Sequence, residues 1–322
     1  MRRVLILSVL TFFPAFFVVL SMPLLSWAHG VAGKRVFPPT LSIEDPFVSD
    51  ELSFLFNSIK ESGGGGEPPT NSTEFSFEYS KRITPHFGVS IADDYRFLDP
   101  EGGDNEHGFG NLEVGAKYQF ITNTAHETIL SIGIAAEIED TGNTSVGAEE
   151  FTTISPALFF GKGFGDLPKP LKYLRPLAIT GVIGPNIPTQ GRDVTTTVSE
   201  VTGEIEREVE QHPVSLSYGF SLQYSLEYLQ SYVKDVGLGA PFNRMIVLVE
   251  FPFETDLNRG SGGDTTGFVN PGLIWIGKSL QLGAELQVPV NNRSADHIGV
   301  LGIIDFVIDD LFPNSLGRPL FH

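Results

Sequence analysis

The sequence predicts an all-β protein: a closed antiparallel transmembrane β-barrel of about 12 strands, with long extracellular loops and short periplasmic turns. Three observations predict it. One two-residue alternation is unusually long, the same alternation recurs along the chain, and the connections are by turns long and short. The long alternation is Pro213 to Tyr228. Val214, Leu216, Tyr218, Phe220, Leu222, Tyr224, Leu226 and Tyr228 are apolar or aromatic, and Ser215, Ser217, Gly219, Ser221, Gln223, Ser225 and Glu227 between them are small or polar. A period of two means a strand with one oily and one polar face. At ~3.3 Å per residue the run reaches roughly 50 Å, and a tilt of about 45° leaves a height of ~35 Å, enough to cross a bilayer at a slant.

The N-terminus predicts the compartment. Arg2 and Arg3 precede the apolar run Val4 to Leu25, and Ser26-Trp27-Ala28 follows. This pattern is a secretory signal peptide, residues 1–28, cut after Ala28; the length of the apolar run leaves an uncleaved anchor helix as the alternative. No later stretch approaches ~18 consecutive apolar residues. The formal charge of −18 becomes more negative once both arginines are removed, which argues against a nucleic-acid partner. The absence of cysteine excludes disulfides, thiolate metal sites and a cysteine nucleophile. Glycine, 35 of 322 residues, exceeds the usual share of roughly 7%.

Residues 29–50 (HGVAGKRVFPPTLSIEDPFVSD) show little periodicity and read as a periplasmic N-terminal segment. The amine and imidazole of His29 could chelate copper after cleavage, but a stable site needs a second imidazole and none can be identified. The barrel is expected over 51–310, followed by a tail, 311–322. Its strands are expected near 51–59, 73–83, 87–97, 110–121, 128–138, 151–161, 173–184, 213–228, 243–254, 268–277, 280–290 and 297–308. Phe75, Phe77 and Tyr79 alternate with Glu74, Ser76 and Glu78 in the second. Leu112, Val114, Ala116, Tyr118 and Phe120 alternate with Glu113, Gly115, Lys117 and Gln119 in the fourth. One short interfacial helical turn is expected within 229–242. Connections after odd strands (61–72, 98–109, 139–150, 186–212, 255–267, 291–296) are generally longer and more polar than those after even strands (84–86, 122–126, 162–172, 229–242, 278–279). That is the plan of an outer-membrane barrel, whose edges must close on each other.

A soluble sandwich or lipocalin-like barrel also alternates. The membrane barrel is favoured because the strands are long, one face is rich in Tyr and Phe, and the other, rich in Gly, Ser and Glu, cannot build a core. The segments IEDPFVSDEL (43–52), SFEYSKRITPHFGVSI (76–91) and GFGNLEVGAKYQF (108–120) resemble the outer-membrane barrel proteins of the meta-pathway phenol-degradation family. The resemblance runs through most of the chain beyond the signal peptide. It implies a transporter, with hydrophobic or aromatic solutes in view, and carries over no catalytic residues. The chain ends in PLFH with Phe321 penultimate, a departure from the terminal aromatic by which such barrels signal to the assembly machinery.

Turning the oily face outward fixes the expected lumen lining: Glu78, Arg82, Glu113, Lys117, Glu137, Glu227, Arg244, Glu250 and Glu285, with Glu78, Lys117, Glu250 and Glu285 nearest mid-depth. Two readings stand side by side. One is an acidic pore wall that favours cations or neutral polar solutes; the other is an ion-paired network that fills a narrow barrel. For function, passive movement of small molecules stands against a closed structural or adhesion barrel working through acidic loops. A lipid-modifying enzyme is the weakest alternative. His86, His107, His212 and His297 have no serine or threonine two residues later, and there is no G-x-S-x-G. His126-Glu127-Thr128 has the spacing but falls at a turn. The histidines show no metal-ligand spacing, and GKGFGD (161–166) fails the dinucleotide pattern. No catalytic residue, cofactor or metal is expected. Expected partners are outer-membrane lipid, lipopolysaccharide and the barrel-assembly machinery, with the acidic run around Glu200 to Glu210 as a solvated loop. Intact-mass measurement of the purified protein is expected to find His29 as its first residue; a mass that retains residues 1–28 would mean an uncleaved anchor.

Overall fold

The computed structural model describes residues 30–63, 68–198, 205–259 and 262–321; the expected signal peptide and His29 lie outside the described residues. The barrel staves are β1 (Glu51–Glu61), β2 (Thr70–Thr84), β3 (Phe87–Pro100), β4 (Glu113–Asn123), β5 (Thr128–Glu137), β6 (Thr153–Gly163), β7 (Leu177–Pro188), β8 (Ser215–Ser225), β9 (Met245–Asp256), β10 (Thr265–Ile276), β11 (Leu280–Pro289) and β12 (Gly299–Val307). A short piece, Glu106–Phe109, pairs with the outer part of β3 while β4 pairs with its inner part, so the two pieces make one stave. Between them the ladder is interrupted, and Gly110 N–H bridges the gap to the Asp94 carbonyl at 2.9 Å. Every stave runs antiparallel to its neighbours. The ring closes where β12 pairs with β1, from Val300 opposite Ser58 to Val307 opposite Glu51. The fold is a closed antiparallel 12-strand barrel.

The distribution of side chains inverts that of a soluble protein. Outward positions hold exposed apolar residues, among them Phe75, Ile132, Ile134, Leu222 and Val247, whereas inward positions hold buried polar ones, among them Ser131, Thr180, Ser221, Gln223, Glu250 and Asn270. A sandwich would place the first set inside, so the soluble alternative does not describe this chain. Aromatic side chains stack on the outer face, as Phe220 on Phe251 with ring centroids 4.6 Å apart and Tyr218 on Phe253 at 5.7 Å.

Local chemistry moves several expected boundaries. The strand expected at 173–184 begins at Leu177, because Pro168 and Pro170 open a 3₁₀ helix, Lys169–Leu174, and proline suits a first helical turn better than a ladder. The strand expected to reach Tyr228 stops at Ser225. The Ser225 hydroxyl oxygen accepts the Tyr228 N–H and caps the turn Leu226–Tyr228, which continues as the π-helical turn Leu229–Val233. Two connections on the short-turn side are therefore long and partly helical. On the opposite side, the polar segment 186–212 holds a hairpin, Arg192–Val198 against Ile205–Gln211, with the β-branched pair Val194 and Val209 opposite each other.

Three staves depart from the oily-out, polar-in rule. Ile246 and Leu248 of β9, Ile274 and Ile276 of β10, and Leu301 and Ile303 of β12 face inward, are buried, and cluster with Leu41 from the N-terminal segment. Strands covered on both faces read as near-continuous apolar runs, and these do. Ile132 lies near the middle of β5 on the lipid-facing side and is 50% exposed. Ile132→Arg is expected to lower barrel stability by about 2–4 kcal/mol, measured by urea unfolding in lipid vesicles.

Candidate functional site

What fills the barrel is its own N-terminal segment. The sequence places residues 29–50 on the periplasmic side. The described part instead enters the lumen from the short-turn end, crosses its interior and returns to the same end at Asp50. The reason lies in the wall. Inward-facing glycines leave a groove of the segment's shape: a Cβ on Gly219 would lie 2.4 Å from Ile43 Cδ1, one on Gly88 2.6 Å from Val48 Cγ1, and one on Gly161 2.9 Å from Pro46 Cγ. Ala32, Phe37 and Phe47 of the segment pack with Ile129 and Ala178 of the wall in a buried cluster, and Leu41 packs with the inward apolar patch of β9, β10 and β12. Lumen side chains also bind its backbone. Glu250 Oε2 accepts the N–H groups of Leu41 at 3.1 Å and Ser42 at 2.7 Å. Lys117 Nζ donates to the Asp45 carbonyl at 2.9 Å, Gln119 Oε1 accepts from Val48 N–H at 3.2 Å, and the Ser131 hydroxyl donates to the Pro46 carbonyl.

Two ionic clamps hold the ends of this plug at the short-turn side. At the first, Arg35 is buried, pairs with Glu127 at 3.3 Å, donates to the Pro176 carbonyl at 2.8 Å and to the Arg175 carbonyl, and lies over the Tyr228 ring. Tyr228 O–H in turn donates to Glu127 Oε1 at 3.0 Å. Burial first, and then the Glu127 charge, push the Tyr228 hydroxyl up to about 12, so it remains a donor throughout the neutral range. At the second, Asp50 accepts from Lys81 at 2.6 Å, from the Arg82 guanidinium at 2.9 Å and from the Arg82 backbone N–H at 2.7 Å. The expected lumen base Arg82 is thus a clamp residue at the rim, which it also joins to Asp309. The chain end closes over the same rim, with Phe321 N–H on the Ile83 carbonyl at 2.8 Å.

A cavity of about 330 Å³ remains between the plug, the start of β1 and staves β2 to β8. Glu44, Asp45, Glu51, Glu78 and Glu113 line it against a single base, Lys117, which pairs with Glu44 at 2.7 Å. Apolar wall comes from Phe47, Val48 and Phe159, and hydroxyl and amide groups from Ser80, Ser155, Asn186 and Ser217. A second cavity of about 220 Å³ shares Glu113 and adds Glu137, Asp94, Arg96 and Asn111 beside the interrupted ladder. The structure therefore gathers Glu78, Glu113 and Lys117 around one space and Glu137 next to it. Glu250 and Glu285 lie apart, buried under the plug. Glu227 and Arg244 do not lie in the wall. They sit in the turns that follow β8 and precede β9, because Ser225 caps the chain out of its strand. The residues missed from sequence are Arg35, Leu41, Ser42, Glu44, Asp45 and Asp50; the signal for them is the loss of alternation in β9, β10 and β12, which requires an apolar partner inside. His126 pairs with Asp166 at 2.9 Å and His212 with Asp193 at 3.0 Å, so neither imidazole addresses a serine or threonine hydroxyl.

No protein-family model matches the chain, and no curated protein matches it by sequence. Among solved structures, an outer membrane channel from Pseudomonas putida F1 superposes with a TM-score of 0.52 at 12% identity, over 84% of this chain and 99% of that one. The KdgM porin matches at a TM-score of 0.44 and 10% identity, over 80% and 98% of the two chains. LpxR from Salmonella typhimurium matches at 0.39 and 11%, over 80% and 99%. The likeness to the Pseudomonas channel is one of fold, and the chain is a β-barrel of the bacterial outer-membrane type.

Burial works to raise the Asp50 carboxyl, but Lys81 and Arg82 outweigh it and hold the group below its ordinary value of 3.8. A folded-state value below the unfolded one means that the stabilisation is complete above the ordinary aspartate range of about 3.9 and is lost as pH falls through the folded value. Asp50→Asn is expected to cost about 3 kcal/mol at neutral pH. Its deficit against wild type should shrink progressively below about pH 4, read as thermal midpoints in detergent across pH 2–8.

Proposed function

We propose that the protein is a passive outer-membrane transporter for small molecules whose path runs along the acidic cavity, with the N-terminal segment as the constriction. The observation that carries this reading is the cavity itself: a space of about 330 Å³ with carboxylates in excess over one lysine, beside a separate chain segment rather than a wall-to-wall side-chain core. Carboxyl groups in excess over bases at a constriction favour cations and neutral polar solutes over anions. The resemblance to the meta-pathway phenol-degradation family extends the proposal to hydrophobic or aromatic solutes, and Phe47, Val48 and Phe159 in the cavity wall support it by giving such a solute an apolar surface. Lipid and lipopolysaccharide around the outer face, and delivery by the barrel-assembly machinery, belong to the same proposal.

A second reading, a closed barrel that acts as a structural or adhesion scaffold, is favoured by the plug and its two clamps. Single-channel recording in planar bilayers under a salt gradient separates the two. Transport predicts small steps with cation preference, reduced in Glu78→Gln and Glu113→Gln. It also predicts a several-fold larger conductance when residues 31–49 are deleted. A correctly inserted barrel that stays silent with the plug, and gains no cation preference without it, would favour the scaffold.

A further inference from the structure

We propose that the short-turn rim between β6 and β9 is a binding surface for the anionic phospholipid headgroups of the periplasmic membrane leaflet. This goes beyond the transport reading and does not use the acidic cavity. Two connections make the surface, residues 164–176 and 226–244, which carry the 3₁₀ helix Lys169–Leu174 and the turns that follow Ser225. They pack against each other and lie beside the lipid-facing wall. Tyr224, on the outward face of β8, donates its hydroxyl to the Tyr173 carbonyl at 3.1 Å. Val247, outward and exposed on β9, is directly opposite Tyr224. The apolar belt of the barrel therefore runs on into both connections, where Leu171, Tyr173, Leu174, Tyr232 and Phe242 are all exposed. None of these five belongs to a stave, so strand parity does not account for their exposure.

Charge sets this rim apart from the rest of the chain. The whole sequence has 21 lysines and arginines against 39 aspartates and glutamates. The two connections reverse that balance, with five bases (Lys169, Lys172, Arg175, Lys234 and Arg244) against three acids (Asp166, Glu227 and Asp235). The acids are engaged locally. Asp166 pairs with His126 and Lys162, Asp235 accepts the Gly237 N–H at 2.8 Å, and Glu227 is acted on by Arg244. Lys34 of the plug adds a sixth base, its ammonium 5.0 Å from the centre of the Tyr232 ring, and Lys172 lies over Tyr173 at 5.1 Å. By contrast, the outer loop 138–152 holds four acids and no base. An interfacial segment buries apolar side chains at the boundary of headgroups and acyl chains, and gains further from basic residues beside anionic lipid. Tyrosine is favoured at that level, and lysine reaches from it toward water and phosphate. This rim carries all three kinds of residue together. Tyr232 also packs on Tyr228, with ring centroids 5.0 Å apart, so the surface is continuous with the first plug clamp.

Trp275 is the one tryptophan beyond residue 28. It lies opposite Met245, next to the second connection, and so reports on lipid at this rim by energy transfer. The test titrates the full processed chain, folded in a neutral detergent, with dansyl-labelled phosphatidylglycerol or dansyl-labelled phosphatidylcholine, and follows transfer from Trp275. Phosphatidylglycerol is expected to bind about tenfold more tightly. Lys169→Gln, Lys172→Gln and Lys234→Gln together should bring it to within about twofold of phosphatidylcholine. If that variant fails to fold, Lys169→Gln with Lys234→Gln, both at exposed positions, should lower the preference about threefold. Removing as many bases on the outer side, by Lys60→Gln, Arg207→Gln and Arg293→Gln, should leave the preference intact. Equal binding of the two lipids by the wild-type chain would overturn the assignment. So would a preference that survives the lysine substitutions, or one that the outer-side substitutions remove, since either places the anionic lipid elsewhere on the barrel.

Discussion

Inside a hydrocarbon layer no water is available to backbone N–H and C=O groups, so each stave needs a partner on both sides. The pairing of β12 with β1 meets this requirement, and most of the architecture depends on it. It brings the two ends of the barrel to one rim, where Asp50, just ahead of β1, meets Asp309, just beyond β12, through Arg82. Closure also fixes which face of every stave is the lumen, so the polar face has to be satisfied by whatever lies inside.

A ring of this strand number is too wide for its inward glycines, serines and alanines to meet across it. The plug supplies the missing volume and the missing hydrogen-bond donors. Where the wall offers a carboxylate, as at Glu250, the plug presents backbone N–H groups; where the wall offers Gly219 or Gly161, it presents Ile43 or Pro46. Where β9, β10 and β12 turn apolar residues inward, it presents Leu41. The fit is unequal around the ring. On the β9–β12 side it is close, and on the β2–β8 side it leaves the acidic cavity. A path for solute and a seat for the plug are therefore assigned to opposite walls of one lumen.

The clamps give the plug a definite cost of removal. Moving the segment would break the buried pairs of Arg35 with Glu127 and of Asp50 with Lys81 and Arg82, and breaking a buried pair costs more than forming it gains. Arg35 is additionally held by two carbonyls of the connection before β7, and its partner Glu127 by Tyr228 from the connection after β8. The long, partly helical connections on the short-turn side thus serve as the seat of the first clamp.

Strand number, closure and the orientation of the faces were legible from residues such as those of 213–228, because a period of two and the demand for paired backbone are local and general constraints. The lining positions Glu78, Glu113 and Lys117 followed from the same parity. The ends of strands were less legible, since Ser225 caps a helix only when the chain beyond it is free to turn, and Pro168 and Pro170 act through φ and a missing N–H rather than through hydropathy. The plug was out of reach of local reasoning altogether. Its residues have no period because they match a surface assembled from five or more distant staves, and Ile43 against Gly219 or Arg35 against Glu127 is a contact that no spacing along the chain encodes. Periodicity and composition along the chain were enough to close it into a membrane-spanning barrel with a polar, acidic interior. That residues 30–50 occupy this interior followed from the assembled fold alone, since complementarity between a segment and a lumen exists only after the ring has closed.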